Sequence, residues 1–592
     1  MIEDRHEEKA IERSIDRKTA QKLLSYIKPY KMLFAFTVFL LLVTAGLQIL
    51  GPFIIMIAID QYITPGQLEG FLNIVLLFAL VILLEFVIRY FQQYLTEILG
   101  QKIMYDMRMD IFDHIHRMPL SFFDRNPVGR IMTRVTTDVQ TLNEMLSSGI
   151  VTLFGDIFMI LGIMIIMLSI NLRLSLITFS VLILLAIATF IFRSKVRVTF
   201  KIIRAKISAI NSYLQEAISG MNTIKIFGRE ARSTMEFRKL NQDYLGAYLK
   251  TVFYYAVFYP IVTLISTMAI ALIIWYGGGQ VIRGVLTFGI LVAFIQYIER
   301  FFHPISDLSE KFGILQEAIA ASERIFNILE TKPSITSPKD PVKVNKIKGD
   351  ISFENVWFSY NGDDYVLKDI NFKLGSGQSI AFVGATGSGK TSIINILNRF
   401  YDIQMGNILL DGVDIKDYAL KDLRKHIGIV MQDVFLFSGS ILDNIRLGDP
   451  SISKERVIEA AKYVNAHKFI EKLPQKYDQE IKERGKILSV GQKQLIAFAR
   501  AIVFNPEVLL VLDEATSSID SEIEALIQDA LKKVMSARTT IIIAHRLSTI
   551  KNVDNIMVLS HGRILEQGTH SSLLASRGIY YKLYRYQYQL QE

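Results

Sequence analysis

The sequence predicts two domains of different class: an all-α membrane domain of six helices, followed by a soluble α/β domain of the phosphate-loop type. Apolar residues concentrate in the first 305 of the 592 positions, and near Asp350 short β-branched strands begin to alternate with helices. A glycine-rich loop, Gly384 to Thr391, stands between one such strand and a helix. With 51% hydrophobic residues and a mean hydropathy of +0.31, the chain is too apolar for an ordinary soluble protein.

Six runs in the first half are long and apolar enough to cross a hydrocarbon core of about 30 Å, which takes roughly 20 helical residues. They lie near residues 32–59, 71–92, 149–170, 174–195, 253–276 and 285–303. Only Asn171, Leu172 and Arg173 separate the third run from the fourth, so these two form a tight hairpin. The loops 60–70, 171–173 and 277–284 carry few Lys or Arg, and the positive-inside rule places them outside the cytoplasm.

Both termini and two long segments, 93–148 and 196–252, are therefore predicted to be cytoplasmic. These segments are charged but helical in pattern, which indicates that spanning helices continue beyond the membrane; 25 residues add about 38 Å. The stretches 119–139 and 214–230 within them contain turns and are predicted to contact a cytoplasmic domain. The predicted organisation is a cytoplasmic amphipathic segment at 1–31, a membrane domain at 32–328, a linker at 329–348 and the α/β domain at 349–592.

Charge and cysteine usage exclude several classes of function. The net charge of +9 suggests a nucleic-acid partner at first, but much of the basic excess flanks the apolar runs, as in cytoplasmic loops of membrane proteins. We therefore predict no nucleic-acid binding. The chain has no cysteine, which excludes disulfides, thiolate metal sites and cysteine nucleophiles. The first 22 residues are charged and lack the features of a cleaved secretory signal.

The acidic residues Glu85 and Asp156 lie inside predicted spans, where an unpaired charge is costly. Arg89 follows Glu85 by one helical turn, so a structural ion pair is one interpretation of that acid. Asp156 has no such neighbour and is predicted to face the bundle interior or a wet cavity. Both are candidate contacts of a transported substrate.

The loop GATGSGKT satisfies the pattern G-x-x-x-x-G-K-[ST] and has the strand and helix that this pattern requires on either side. The predicted phosphate-binding residues are Gly384, Ala385, Thr386, Gly387, Ser388, Gly389, Lys390 and Thr391. Glycines let backbone N–H groups approach phosphate oxygens, and the helix N-terminus adds partial positive charge. Lys390 is expected to contact the β- and γ-phosphates and the Thr391 hydroxyl to ligate Mg²⁺.

A second apolar strand, VLLVLDEATSSID, begins at Val508 and ends in two acids. We expect Asp513 to hold Mg²⁺ and Glu514 to act as the general base that polarises the attacking water. An Asp-Glu pair alone is weak evidence. After an apolar strand, in the same domain as a phosphate loop, it predicts nucleotide hydrolysis.

The stretch LSVGQKQLIAFARAI, which begins at Leu488, resembles the LSGGQ signature of the ATP-binding cassette (ABC) transporters. The resemblance covers nearly the whole chain, because six spans followed by one cassette is the layout of the exporter branch, and it is closest to bacterial multidrug and lipid-flippase half-transporters. It implies that Ser489, Gly491 and Gln492 contact ATP held by the opposite subunit. Val490 departs from the usual glycine, and we interpret it as a tolerated variant.

Further family motifs assign four more residues by resemblance. Gln432 in VMQD matches the coupling and metal-site glutamine, and His545 in IIIAHRLST matches the γ-phosphate histidine. Asp520 in SSID matches the dimer-face aspartate, and Tyr360 in VWFSY matches the aromatic residue that stacks on adenine. Glu514 and His545 are both present, so the chain has a full set of hydrolytic residues.

The resemblance implies an ATPase that uses ATP and Mg²⁺ to export or flip an amphipathic drug or lipid across a bacterial inner membrane. Two chains, with a homodimer favoured over a heterodimer, would complete the sites and alternate between inward and outward access. The alternative is an ATP-gated channel or regulatory membrane ATPase built on the same cassette. The substrate stays open, because aromatics such as Phe253 and Tyr259 could line a drug site, contact lipid acyl chains or merely pack. An aromatic cluster at the end of a span is more often an interfacial belt than a binding site.

Overall fold

A computed structural model describes most of the chain, and structural statements below concern that part. The described residues are 17–342, 347–431, 434–482, 485, 487–513, 521–536, 538–544, 550–551 and 553–589. The chain divides into two compact units. The first comprises the residues up to His116 together with Val128–Thr331, and the second comprises Arg117–Pro127 together with Lys332 to the C-terminus.

The first unit is entirely helical. Its helices are α1 (Arg17–Ile27), α2 (Lys31–Ala58), α3 (Phe71–His116), α5 (Val128–Thr133), α6 (Val139–Glu144), α7 (Thr152–Ile170), α8 (Leu172–Ser219), α9 (Met221–Ile226), α10 (Glu230–Leu272), α11 (Gly278–Ile282) and α12 (Phe288–Glu330). Single π-helical turns continue α2 and α10 and join α5, α6 and α7, so these segments form longer rods.

Five of these rods, among the residues described, have the length and apolar composition to cross a membrane. They are Gln21–Ile63, Phe71–His116, Val128–Ile170, Leu172–Ser219 and Glu230–Ile282. The sixth predicted run falls mostly within α12. The longest uninterrupted helix, α8, has 48 residues and a length of about 72 Å, well beyond the thickness of a hydrocarbon core.

Two helix starts on the predicted extracytoplasmic side, those of α8 and α12, are capped by polar side chains. The Asn171 side chain accepts a hydrogen bond from Leu174 N at 2.9 Å and so begins α8. The carboxylate of Asp60, just past α2, accepts hydrogen bonds from Gly289 N at 2.7 Å and from the Thr287 hydroxyl at 2.5 Å. An acid at the first turn also complements the dipole of α12, so this contact joins the first and sixth spans.

The second unit contains one short helix from the earlier part of the chain, α4 (Leu120–Arg125), and the α/β domain. Its strands are β1 (Ile351–Ser359), β2 (Tyr365–Leu374), β3 (Ser379–Val383), β4 (Met405–Leu410), β5 (Val413–Asp414), β6 (Ile427–Val430), β7 (Gly439–Ser440), β8 (Glu480–Ile481), β9 (Val508–Asp513), β10 (Thr539–Ala544), β11 (Asn555–Ser560) and β12 (Arg563–Gly568). Its other helices are α13 (Lys390–Leu397), α14 (Leu420–His426), α15 (Ile441–Arg446), α16 (Lys454–Tyr463), α17 (His467–Ile470), α18 (Val490–Phe504), α19 (Ser521–Met535), α20 (His570–Ala575) and α21 (Ile579–Gln589).

The central sheet has the order β12-β11-β3-β10-β9-β6, and five of its strands, β11 to β6, run parallel. Alternate residues of β3 face two separate cores, as the period of two along a strand requires. Ile380 and Phe382 pack with α13, whereas Ala381 and Val383 pack with α18. The helices α13 and α18 therefore lie on opposite faces of the sheet.

In the first unit, outside the predicted spans, a buried carboxylate joins two helical rods. Asp138, 5% exposed, accepts hydrogen bonds from Arg134 at 2.9 Å and from two nitrogens of Arg324 at 2.6 and 3.0 Å. The bidentate contact fixes the α5–α6 segment against α12. Removal of the acid would take this shared carboxylate away from both guanidinium groups.

We expect Asp138→Ala to lower the stability of the full-length protein by about 3 kcal/mol, because removing one partner of a buried ion pair is strongly destabilising. The measurement is thermal unfolding of the purified protein in detergent. Asp243→Ala is the matched control: its ion pair with Lys206, at 2.7 Å, is exposed, and its loss should change little. Equal unfolding temperatures for the two variants would contradict the structural role of Asp138.

Candidate functional site

The phosphate loop connects β3 to α13 and depends on glycines at two strained positions. Gly389 has φ of 104°, and a Cβ there would lie 2.7 Å from Leu367 Cδ2. A Cβ on Gly384 would lie 2.1 Å from the carbonyl oxygen of Leu559 on β11. Larger residues would therefore displace the loop from the sheet. The crest, Ala385 to Gly387, is exposed, so its backbone is open to a ligand.

The Lys390 side chain lies over this loop. Its Nζ donates hydrogen bonds to the carbonyl oxygens of Gly384 and Ala385, both at 2.9 Å, and the residue is 6% exposed. The neighbouring Ser388 hydroxyl is buried and has no hydrogen-bond partner within the described part of the chain. An orphaned hydroxyl beside a buried ammonium group fits an anionic ligand that would supply the missing acceptors. Thr391 follows in the first turn of α13 and is exposed.

The parallel strands bring the other predicted catalytic segments to the same edge. Asp513, at the end of β9, is in register with Ala544, the last residue of β10, and Ile543 is in register with Phe382 of β3. The C-terminal ends of β3, β10, β9 and β6 therefore lie side by side at one edge of the sheet. Ligands of α/β proteins bind at this edge of a parallel sheet.

Four predicted site residues lie outside the described part of the chain. They are Gln432, Glu514, Asp520 and His545. The backbone of Asp513 is described as the end of β9, but its side chain is not. Glu514 follows β9 directly and His545 follows β10 directly in the sequence. Their catalytic roles therefore stay predictions, supported by the strand ends that precede them.

Tyr360 is positioned beside the phosphate-loop helix. Its hydroxyl donates to Ser392 Oγ at 3.1 Å and accepts from Asn395 Nδ2 at 3.1 Å, and both partners lie on α13. Its ring meets those of Phe358 and Tyr401 edge-on, with centroids 4.7 and 4.9 Å away. The ring is held by these contacts yet 36% exposed, as a stacking surface for a nucleotide base requires.

Ser489 is the N-cap of α18. It forms a capping box, because its hydroxyl accepts from Gln492 N at 3.3 Å while the Gln492 side chain accepts from Ser489 N at 3.0 Å. Val490 is the first helical residue, has an ordinary negative φ and is 47% exposed. The position that usually holds glycine therefore does not require glycine in this backbone. Gly491 is buried within the first turn.

One residue that the sequence reasoning missed links this helix to the segment after Gln432. Arg500 on α18 donates hydrogen bonds to the carbonyl oxygens of Asn444 at 2.7 Å and Phe435 at 3.2 Å. Burial lowers the pKa of the Arg500 guanidinium from its ordinary value. Its position within the apolar stretch LIAFARAI could have identified Arg500 from the sequence, because a buried charge needs specific partners.

The helix α4 belongs to the same unit as the α/β domain, as expected for part of the stretch 119–139. The Tyr401 hydroxyl donates a hydrogen bond to the carboxylate of Asp124 on α4. Burial and this bond raise the pKa of Tyr401 well above its ordinary value. The neutral phenol is thus favoured, and its stabilisation is present below about pH 10 and lost as the pH rises through the raised pKa. Since Tyr401 also contacts Tyr360, one ring connects α4 with the nucleotide site.

In the first unit, Glu85 has a different partner from the one suggested by its spacing to Arg89. The Glu85 carboxylate accepts a hydrogen bond from Gln48 Nε2 at 3.0 Å, and the described residues contain no Glu85–Arg89 ion pair. The interpretation as an i,i+4 pair was therefore wrong: the side chain turns across to α2. Spacing along one helix could not show a polar partner on another.

Gln48 also contacts Arg300 of α12. Pro52 lacks an N–H, so the carbonyl of Gln48 loses its helical partner, and the Arg300 guanidinium donates a hydrogen bond to that carbonyl. Counted from the ends of α2 and α12, the two residues lie about 15 and 18 Å deep, near the middle of a hydrocarbon core. Arg300 lies within the predicted run 285–303, where it could have been recognised as a charge that needs a partner.

Asp156 is paired as well. Lys311 on α12 forms an ion pair with its carboxylate, and the two side chains are 16% and 22% exposed. Asp156 thus does face the bundle interior, but not as an unpaired acid. The sequence did not identify this partner because Lys311 follows the end of the predicted sixth run by eight residues.

Comparisons with known proteins agree with this arrangement. Residues 34–305 match the family profile of the ABC transporter transmembrane region, and residues 367–517 match that of the ABC transporter nucleotide domain. The chain therefore belongs to the ABC transporters. It combines both regions as an exporter-type half-transporter, and its cassette is an ATPase coupled to transport.

Three relatives represent the similarity. The chain is 36% identical over 568 residues to an ATP-dependent lipid A-core flippase of Syntrophus aciditrophicus, covering 96% of this chain and 94% of the relative. It is 34% identical over 574 residues to a putative multidrug export ATP-binding/permease protein of Bacillus subtilis, with 96% and 99% covered. It is 37% identical over 494 residues to a fatty acid ABC transporter protein of Mycobacterium tuberculosis, with 83% and 78% covered.

The Asp156–Lys311 pair predicts non-additive stability. Asp156→Ala and Lys311→Met should each destabilise the protein, whereas the double variant should lose less than the sum, with a coupling energy of about 1–2 kcal/mol. Each single change leaves one charge without its partner, and the double change removes both. Thermal unfolding of the four proteins measures the cycle. Strictly additive losses would show that the pair contributes no interaction energy.

The Tyr401–Asp124 bond predicts weakened coupling in Tyr401→Phe. Basal ATPase activity and ATP affinity should stay near wild type, while stimulation by an amphipathic compound that activates the wild type should fall about threefold, the effect of one hydrogen bond. Tyr365→Phe is the control, because the described structure gives the Tyr365 hydroxyl no hydrogen bond. Unchanged stimulation in Tyr401→Phe would contradict a coupling role.

Proposed function

We propose that this chain exports or flips an amphipathic drug or lipid across the bacterial cytoplasmic membrane, as a dimer of half-transporters that alternates between inward and outward access. The proposal of a dimer rests on the observation that α13 and α18 lie on opposite faces of one sheet. A phosphate loop and a signature helix so separated act on the same ATP most simply when a second chain supplies one of them. Two chains then provide two sites and twelve spans.

A homodimer is the favoured assembly. Heterodimeric transporters often carry one degenerate site, whereas this chain has both the Glu514 and His545 positions that hydrolysis requires. ATP binds the closed dimer more tightly than the open one, because Ser489 and Gly491 of one subunit contact the ATP that is bound at Lys390 of the other. This difference in affinity drives closure of the dimer. A ligand shifts a conformational equilibrium only through such a difference in affinity.

Within each site we assign roles by chemistry. Gly384 to Gly389 surround the phosphates, Lys390 balances their charge, and Glu514 accepts the proton of the attacking water. Thr391, Gln432 and Asp513 would hold Mg²⁺; the hydroxyl, amide and carboxylate oxygens of this set are the donors that this ion prefers. When bound, the ion neutralises charge that develops on the phosphates. Tyr360 stacks on the adenine, Gln492 supports Ser489 through the capping box, and Asp520 lies at the dimer face.

A second coupling contact is proposed at α9. Ile226 and Phe227, at its end, are 78% and 70% exposed, and together they form an apolar tip on a cytoplasmic extension. Such a tip suits a contact with the partner subunit's cassette, because large exposed apolar groups mark interaction sites. The stretch 214–230 would then couple to the second subunit, as α4 couples to its own.

The proposed substrate class follows from the relatives and from the span interior. A lipid A-core flippase, a multidrug exporter and a fatty acid transporter share cargo with a large apolar part, which we extend to this chain. Glu85 and Asp156 remain candidate substrate contacts only in a state in which their bonds to Gln48 and Lys311 open. The charge distribution of the loops supports a cytoplasmic location for both termini and the cassette.

The decisive experiment uses Glu514→Gln in purified full-length protein. ATP turnover should be abolished while ATP binding is kept, and the variant should accumulate as a closed dimer, because the amide keeps the shape but cannot accept the proton. Lys390→Ala provides the contrast, with weakened nucleotide binding. Undiminished ATPase activity in Glu514→Gln would refute the assignment of the base.

A transport assay separates this function from the channel alternative. Proteoliposomes that contain the wild type should accumulate an amphipathic compound against its gradient while ATP is consumed, and Glu514→Gln should not. Movement that only follows the gradient, with ATP required for opening, would support an ATP-gated channel.

A further inference from the structure

A groove runs along the cytoplasmic part of α3, next to the start of α2. It has a volume of about 410 Å³ and is lined by residues that include the tyrosines Tyr30, Tyr94 and Tyr105 and the charged side chains Glu97 and Lys102. None of these residues belongs to the nucleotide site or to the polar contacts around Gln48. The groove therefore needs its own explanation.

The periodicity of α3 separates this groove from the core. The lining residues of α3, at positions 94, 97, 98, 101, 102 and 105, recur at spacings of three and four and so share one helix face. The opposite face contains Leu99, Ile103, Met104 and Met107, all at most 3% exposed. Tyr94 and Tyr105 are 54% and 67% exposed, so the groove is open.

The charges in the groove are mixed. The Lys102 Nζ lies 5.8 Å from the ring centroid of Tyr30 and has no ion-pair partner among the described residues. Glu97 accepts a hydrogen bond from Gln101 at 2.8 Å, and the Tyr30 hydroxyl donates to Asp106 at 2.8 Å. A purely anionic ligand would be attracted by Lys102 but repelled by the nearby carboxylates. A ligand that carries one negative and one positive charge would be attracted by Lys102 and by the carboxylates.

The groove lies at the level of the cytoplasmic headgroups in the orientation proposed above. Tyr30 precedes the first predicted span by two residues, and Tyr94 follows the second by two, which are the positions of an interfacial aromatic belt. The C-terminal half of α3 lies beyond the membrane in this orientation. Side chains on a helix tilt toward its N-terminus, so those of this half tilt back toward the bilayer. The ammonium group of Lys102 is thereby brought to the Tyr30 ring, in the manner of a snorkelling lysine.

We propose that this groove binds the headgroup of a zwitterionic phospholipid from the cytoplasmic leaflet. The lipid phosphate contacts Lys102, and its ammonium group contacts the Glu97 carboxylate and the tyrosine rings, which attract cations through their π-faces. The inference rests on the proposed orientation in the membrane. It concerns a resident lipid rather than the transported compound.

The face of α3 above the groove has a surface for the acyl chains. Leu83, Val87, Tyr90 and Phe91 are 60%, 40%, 58% and 50% exposed and continue from Tyr94 toward the bilayer centre. A lipid seated there also lies where Tyr30 and Tyr26 fasten α1 to α3 through Asp106 and Asp110. The bound lipid would thus stabilise the attachment of the N-terminal helix.

The test compares lipid retention by full-length protein reconstituted with phosphatidylethanolamine or with phosphatidylglycerol. Native mass spectrometry during stepwise detergent exchange counts the lipids that remain. The wild type should retain phosphatidylethanolamine more tightly, and Glu97→Gln and Lys102→Ala should each weaken that retention about fivefold. Lys201→Ala, a lysine just beyond the fourth predicted span, is the matched control and should behave as wild type.

The outcomes are distinct. Equal retention of the two lipids by the wild type would overturn the proposal. This comparison does not depend on whether any variant folds. Loss of both lipids in Lys102→Ala with no effect of Glu97→Gln would indicate a general anion site and would also overturn it.

Because the chain has no cysteine, Tyr105→Cys can be tested for disulfide crosslinking between subunits; an efficient crosslink would show that a second copy fills the groove. Basal ATPase activity stays unchanged in Glu97→Gln and Lys102→Ala, so these results are independent of the proposed transport function.

Discussion

The parallel pairing of β10 with β3 on one side and β9 on the other is the constraint on which the nucleotide domain depends. It aligns the ends of strands that are more than 120 residues apart in the chain, so that the phosphate loop, Asp513 and Ala544 come to one edge. The same sheet separates α13 from α18 by its thickness, since alternate residues of each strand face different cores. A complete ATP site across two chains, as proposed here, follows from that separation.

Within the second unit, a few side chains connect the nucleotide site with α4. Tyr360 is held against α13, Tyr401 packs edge-on against Tyr360, and the Tyr401 hydroxyl bonds to Asp124 on α4. A displacement of the Tyr360 ring, which we propose stacks on the base, therefore has a short route to α4 inside the second unit. Packed rings transmit such displacements because well-packed cores deform little.

In the first unit the main constraint is that polar groups within the hydrocarbon core need hydrogen-bond partners from the protein. Pro52 frees a carbonyl in the middle of the first span, and Arg300 donates to it, while Glu85 accepts from the Gln48 side chain. These hydrogen bonds join three helices, because a polar group in hydrocarbon needs a partner from the protein. In the alternating-access cycle proposed above, a rearrangement of these spans would have to replace these bonds.

The sequence alone determined the class of each domain, the phosphate loop and the signature, because helix length in lipid and the spacing of glycine, lysine and hydroxyl groups are local properties. Tertiary structure decided which charges meet. Glu85 contacts Gln48 rather than Arg89, Asp156 meets Lys311, and the structure shows that Val490 occupies an ordinary helical position. These outcomes depend on the rotation and packing of helices far apart in the chain, and no spacing within a single helix encodes them.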